Sequence, residues 1–427
     1  LKERNSSGMG ADSVIYIRAD GNTEIATGHL VRCLSIARAL KKEQQAAGTT
    51  FTDSDGFPIT FLVSDQESKA LLCGFFDCKE EFPVHILETA RYDDPERELP
   101  ELLALIDRCE LSHVHAPASN GAFPPVSGTA LPSAAKPVLL VDSYFVTERY
   151  FLSLKNHVTL VYLDDLRAFD YPVDLVINYD ILTPETQQEY EHSYTRAGKK
   201  LLGGAFAPLR PQFQSAGRVL PSVSDGKVCH VLIASGGSDP YHTTLHLTEY
   251  LLAECPPGYC FHLLLGSMNP DRQALCELAD KQNLYVSSSA SAKASTVILH
   301  QGVSDMASLM QSCDLALSAA GTTLYELCAV GVPTASFIIA DNQIASANAF
   351  AQNDAIPCLG DVRTNEESIK KEAAHWVTSM NPYVRNQAAS ARLLRYRNIS
   401  KRMQQLVDGN GAVRIADALL ALLKSRS

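Results

Sequence analysis

The chain predicts an α/β protein made of two Rossmann-like halves, and three observations carry that prediction. Short apolar runs alternate with amphipathic helical stretches along both halves, the mark of parallel sheets covered by helices. The alternation stops once, over 214–227, where Ser, Gly, Pro and Asp read as a linker. At 427 residues the chain is too long for one ordinary domain, and 46% hydrophobic residues is enough for two packed cores.

Taken in order, residues 1–13 are polar and read as a disordered start. The first domain then runs over 14–213, with strands expected at 14–17, 59–63, 138–141, 160–163 and 175–177, and helices such as 99–108 between them. Two polar insertions, 41–57 and 113–136, interrupt it; the second has no period and reads as a long surface loop. The second domain, 228–427, repeats the pattern with runs at 228–234, 261–265, 297–299, 315–317 and 334–339. No short fixed-period repeat is present. Two such halves on one linker suggest a GT-B-like architecture, two Rossmann-like domains facing each other with the active site in the cleft.

Composition excludes several classes. A net charge of −11 argues against a nucleic-acid partner and leaves room only for a local basic site. The 11 cysteines are odd in number and scattered, with no CxxC, and no His pair has metal-ligand spacing. Neither a disulfide framework nor a metal or other cofactor is therefore expected, and the thiols suit a reduced cytosol. No run approaches the length of a membrane span and no signal peptide is read, so a cytoplasmic protein is expected. The sequence leaves the oligomeric state open, with a monomer among the options.

The most informative stretch is 16–40. An apolar run feeds the loop Arg18-Ala-Asp20-Gly-Asn-Thr-Glu-Ile-Ala26-Thr-Gly28-His29, and a periodic helix begins at or just after His29 with Leu30, Cys33, Leu34, Ala37 and Leu40 on one stripe. A histidine at a helix start faces the positive end of the macrodipole, which disfavours imidazolium and suits a general base. Arg18 and Arg32 lie close in sequence, so an anionic substrate is expected, with Asp20 and Gly28 on the same loop as further candidate contacts. The plain alternative is that His29 is a surface or capping residue.

In the second half, Ser318-Ala-Ala-Gly321-Thr322-Thr323 closes a strand and a helix follows to about Ala329, with Gly331 and Pro333 as its stop. Small residues before a helix start let free N–H groups approach a phosphate. Glu326 lies one turn in, where a carboxylate can accept from a ribose diol. Ser235-Gly236-Gly237-Ser238-Asp239-Pro240 follows the first strand of this half and opens a helix at about Thr243. Val303-Ser-Asp-Met306 and Asp341-Asn-Gln343 are further loop segments. In the first half, Asp142-Ser143-Tyr144 and Asp164-Asp165-Leu166 each close a strand. Helix N-capping is the commoner explanation for such aspartates, since no third acid or His stands at ligand spacing.

The RADG…GHxxRC arrangement resembles the N-terminal signature of the UDP-2,4-diacetamido-2,4,6-trideoxy-β-L-altropyranose hydrolases of pseudaminic acid synthesis and of related spore-coat polysaccharide proteins. A Gly common two residues before Gly28 is Ala26 here, which implies a slightly different loop path. The 315–337 string looks like the UDP-binding segment that this family shares with the MurG-like glycosyltransferases. The resemblance implies that His29 is the base, that Gly321, Thr322 and Thr323 hold the diphosphate, and that Glu326 holds the ribose. It further implies that Gly236, Gly237 and Ser238 face the diphosphate or sugar, that Val303 borders the uracil with Met306 packing, and that Gln343 touches sugar or phosphate. Asp142, Tyr144 and Asp165 resemble elements lining the family's cleft. The segment Gly203-Gly-Ala-Phe206-Ala-Pro-Leu-Arg210-Pro-Gln-Phe213 resembles its domain junction, with Phe206 in place of Tyr.

The expected function is metal-independent, inverting hydrolysis of a UDP-sugar at the anomeric carbon, the UDP-sugar being the expected partner. A MurG-like glycosyltransferase and a non-catalytic nucleotide-sugar-binding protein are the alternatives.

Overall fold

The computed structural model describes residues 14–46, 58–78, 81–113, 136–214, 216, 227–288, 294–384 and 386–424. The expectations for 1–13, for most of the two insertions and for most of 214–227 lie outside these residues.

The chain divides into two compact units, Leu1–Tyr179 with Thr186–Leu202 and Ala412–Ser427, and Asp180–Glu185 with Gly203–Gly411. The main division thus falls at Gly203, ahead of 214–227, and the last helix joins the first unit instead of the second.

The first unit runs β1 (Ile15–Ala19), α1 (Gly28–Ala46), β2 (Ile59–Val63), α2 (Gln66–Gly74), β3 (Val84–Ile86), α3 (Leu99–His113), β4 (Val138–Asp142), α4 (Glu148–Leu154), β5 (Thr159–Leu163), β6 (Leu175–Asn178), α5 (Pro184–Ser193) and β7 (Lys199–Leu202). Its seven strands are ordered β3-β2-β1-β4-β5-β6-β7, every pairing parallel. All residues of β1, β4, β5 and β6 are buried, as a sheet covered on both faces requires. The strand order reverses between β1 and β4, where Ala19 pairs with Asp142. Chains leaving these two strands diverge, and the crevice at their carboxyl ends is where open α/β sheets bind ligands.

The second unit runs β8 (Cys229–Ala234), α6 (Thr243–Glu254), β9 (Tyr259–Leu265), α7 (Arg272–Ser288), β10 (Thr296–Gln301), α8 (Met306–Ser312), β11 (Leu315–Ala319), α9 (Thr323–Val330), β12 (Thr334–Ile338), α10 (Ile344–Gln352), β13 (Cys358–Asp361), α11 (Val362–Met380) and α12 (Ala389–Leu406). Its sheet is ordered β10-β9-β8-β11-β12-β13 and reverses between β8 and β11. Alternate residues of β8 and β9, including Val231, Ile233, Phe261 and Leu263, point into one core together with Trp376 and Tyr396. Gly331 ends α9 at φ +77° and its N–H caps the Leu327 and Cys328 carbonyls, so the expected stop is in place.

The last helix, α13 (Gly411–Lys424), buries Ala412, Ile415, Ala416, Leu419 and Leu423 on one stripe. No described helix is long and apolar enough to cross a membrane.

Candidate functional site

Each unit places some of its predicted residues beyond the two strands between which its sheet order reverses. In the first unit α1 begins at Gly28, so His29 stands in the first turn, directly beyond β1, and the end of β4 supplies its partner. His29 Nδ1 lies 2.6 Å from Asp142 Oδ1, and both side chains are buried. With Asp142 ionised, this contact places the proton on Nδ1 and leaves Nε2 as the basic nitrogen. Nε2 has no hydrogen-bond partner among the described residues. The exposed Tyr144 meets the imidazole edge-on, ring centroids 4.4 Å apart.

Arg32, one turn further along α1, ties the group together. Its Nε and Nη2 donate to Asp142 Oδ2 and Oδ1 at 2.6 and 2.5 Å. Its Nη1 donates to Asp165 Oδ2 and to Tyr179 Oη, both at 2.6 Å. Burial alone would raise the Asp142 pKa, but Arg32 and then His29 outweigh it and hold the carboxyl well below its ordinary range. Burial and the Asp165 carboxylate push the Tyr144 hydroxyl up to about 12, so it remains a donor at neutral pH and bonds Asp165 Oδ2 at 3.2 Å.

Several expectations are corrected here. Asp142 and Asp165 are not N-caps: α4 is capped by Thr147, and both aspartates are held by Arg32. Asp164 does accept from turn N–H groups, those of Leu166 and Arg167, and from the buried Tyr171 and Tyr194 hydroxyls. Neither arginine presents a free charge to an anion. Arg18 lies beneath the loop, paired with Glu98 and with Asp20 at 2.6 Å. Asp20 accepts in turn from the Ser64 N–H at 2.7 Å, so both residues shape the loop from below. Ala26 takes φ +58°, the left-handed region that glycine favours. The loop therefore keeps a glycine-like path despite the substitution.

In the second unit the loops after β8 and β11 flank the reversal. Gly236, Gly237 and Ser238 are exposed. Asp239, buried beneath them, accepts from the Thr243 and Thr244 N–H groups at 2.9 Å and so caps α6. A Cβ on Gly266 would lie 2.0 Å from the Gly237 carbonyl oxygen, so only glycine there lets this loop sit against β9's end.

After β11, the N–H groups of Thr322 and Thr323 have no acceptor among the described residues at the start of α9. Gln343 holds the Ile339 N–H through Oε1, and its Nε2 lies 3.9 Å from where a Gly321 Cβ would be. Glu326, on α9, is paired through Oε1 with Arg210 Nη2 at 2.8 Å, leaving Oε2 unpaired among the described residues. Burial raises the Glu326 pKa, with Arg210 opposing it.

Sequence reasoning missed Gln212, whose amide accepts from the Ala307 N–H at 3.0 Å and donates to the Ser304 carbonyl at 3.1 Å. It thereby fixes the segment from Val303 to the buried Met306. It also missed Tyr179, and no local signal marks either residue. Linear spacing likewise hides a cluster on the second sheet: His230, Cys260 and His262 offer donor atoms all within 4.8 Å of one another.

No protein-family model matches the chain. It is 27% identical over 222 residues, 51% of the chain, to the spore coat polysaccharide biosynthesis protein SpsG of Bacillus subtilis. An uncharacterized protein of Methanocaldococcus jannaschii is 23% identical over 75% of the chain. The chain spans 57% and 54% of the lengths of these two relatives. Among solved structures, Acinetobacter baumannii MurG aligns over 96% of this chain and 99% of its own, with TM-score 0.60 and 13% identity. Arabidopsis thaliana UGT89C1 complexed with UDP-L-rhamnose aligns over 96% and 99%, with TM-score 0.56 and 10% identity. The chain is thus similar in sequence to a spore coat polysaccharide biosynthesis protein and has the GT-B-like fold of MurG.

Proposed function

We propose that this chain hydrolyses a UDP-linked amino-deoxy sugar, of the UDP-2,4-diacetamido-2,4,6-trideoxy-β-L-altropyranose kind, to UDP and free sugar in surface polysaccharide or nonulosonic acid synthesis. The observation that carries the reading is the His29–Asp142 pair at 2.6 Å, which fixes the imidazole tautomer beside an exposed aromatic ring.

In this reading the second unit holds the uridine diphosphate and the first supplies the base. His29 Nε2 takes a proton from water, and the water oxygen bonds to the anomeric carbon. The bond from that carbon to the diphosphate oxygen breaks, and its electron pair leaves with UDP. UDP is a good leaving group, so the chemistry asks chiefly for an activated water and a receptor for the departing charge. The free N–H groups of Thr322 and Thr323 at the start of α9 suit that receptor. Asp142 orients the imidazole and stabilises the imidazolium, and Arg32 holds Asp142 in place.

A MurG-like glycosyltransferase, in which an acceptor hydroxyl replaces water, is the second reading and draws on the fold likeness. A panel of UDP-amino sugars followed by NMR separates them. Hydrolysis predicts UDP and free sugar without any acceptor; release only after an acceptor is added would overturn it.

A further inference from the structure

The second sheet carries a polar feature that the proposed reaction does not use. Three imidazoles cross three neighbouring strands on the face opposite the Phe261 and Val231 side chains. His230 is on β8, His262 on β9 and His300 on β10. His230 Nδ1 lies 2.8 Å from His262 Nε2, and His262 Nδ1 lies 2.9 Å from His300 Nε2. Cys260, two residues before His262 and so on the same face, stands opposite His230 in the strand register.

We propose that His230, Cys260 and His262 form a binding site for a zinc-class divalent cation, held through His230 Nδ1, His262 Nε2 and Cys260 Sγ. One donor atom from each residue lies within 4.8 Å of the others, close enough for small side-chain movements to reach the edges of about 3.3–3.6 Å of a tetrahedral centre. Two imidazoles and a thiolate are a borderline-soft set, which suits Zn²⁺ over Mg²⁺ or Ca²⁺. Three protein ligands leave the fourth position to water.

The two facing nitrogens would separate to about 3.3 Å, two bonds of ~2.05 Å at a tetrahedral angle. That is a small movement from the 2.8 Å they now keep. Supporting groups are in place. His262 can donate Nδ1–H to His300 Nε2, which aims Nε2 at the ion. Thr296 hydrogen-bonds Cys260. His230 is half-buried, whereas Cys260 and His262 are buried. A bound ion would tie β8 to β9 on the side away from the core.

The test uses the full chain, stripped with a chelator under reductant and titrated with Co²⁺, which reports thiolate ligation optically. One equivalent should bind with a thiolate-to-cobalt charge-transfer band and tetrahedral d–d bands, and Zn²⁺ should abolish both. Cys260→Ser should remove the charge-transfer band, while Cys73→Ser, Cys78→Ser and Cys276→Ser, at exposed thiols, keep it. His230→Gln should weaken binding by more than about 100-fold, beyond what losing a supporting residue costs, and His300→Gln by about 10- to 100-fold. Circular dichroism shows which variants fold. His230→Gln, at a half-buried position, keeps the test decisive if Cys260→Ser does not fold. No band at one equivalent, a band that survives in Cys260→Ser, or unchanged affinity in His230→Gln would overturn the site.

Discussion

Asp142, the last residue of β4, accepts the Nδ1–H of His29, the second residue of α1, at 2.6 Å. The two are 113 positions apart in the chain. They meet because β1 and β4 are neighbours at the point where the sheet order reverses.

Asp142→Asn should therefore lower kcat by about 100- to 10,000-fold, through the wrong tautomer and the loss of imidazolium stabilisation. The same variant tests the electrostatics. The Asp142 pKa is depressed in the folded chain. Its contribution to stability is thus complete above the unfolded value of about 3.9 and is lost as pH falls through the folded value. The Asp142 contribution to the difference in unfolding free energy between parent and variant should be fully present from pH 8 to about 4. Protonation of His29 in that range can only widen the gap. Below that it should narrow by about 1.4 kcal/mol per pH unit. A gap that already closes between pH 7 and 5 would contradict the assignment.

His29→Ala and His29→Asn should reduce turnover by at least about 100-fold and leave UDP affinity within a few-fold, because the residues read as holding UDP belong to the other unit. Near-normal rates in His29→Asn would remove the general base from the account.

Glu326→Ala should weaken UDP binding by about 1.5–3 kcal/mol, the scale of hydrogen bonds to a charged group. The variant also strips Arg210 of its partner, so the control is a nucleotide lacking both ribose hydroxyls. Titration calorimetry should show a smaller defect for that analogue. An equal defect for both would assign Glu326 to holding Arg210 and not to the ribose.

Ala26 holds φ +58° in the loop before His29. Left-handed backbone costs a non-glycine residue about 1–2 kcal/mol, partly offset by the extra entropy glycine loses on folding. Ala26→Gly should raise the unfolding free energy in urea by about 0.5 kcal/mol. A loss of stability would mean the side chain makes a contact that outweighs the strain.

The interior strands were legible in the sequence because sheets covered on both faces write continuous apolar runs. The strands that the apolar pattern did not show are β3, β7 and β13, and each is a sheet edge. Lys199-Lys-Leu-Leu and Cys358-Leu-Gly-Asp are incompletely buried, so nothing demands an apolar run from them. The same logic divides the candidate site. The His29 loop and the turn before α9 are local devices, built from glycine, small residues and a periodic helix, and they show in one window of sequence. The pairing of Asp142 with His29, of Gln212 with the start of α8, and of His230 with His262 depends on which strands and loops become neighbours. No window contains that information.

The most direct test is incubation with the matching UDP-sugar in H₂¹⁸O, reading both products by mass spectrometry and the first-formed anomer by NMR. If His29 activates water at the anomeric carbon, the label appears on the free sugar and none on UDP, the anomer is inverted, and no acceptor is needed. Label on UDP would mean attack at phosphorus, and it would contradict the account.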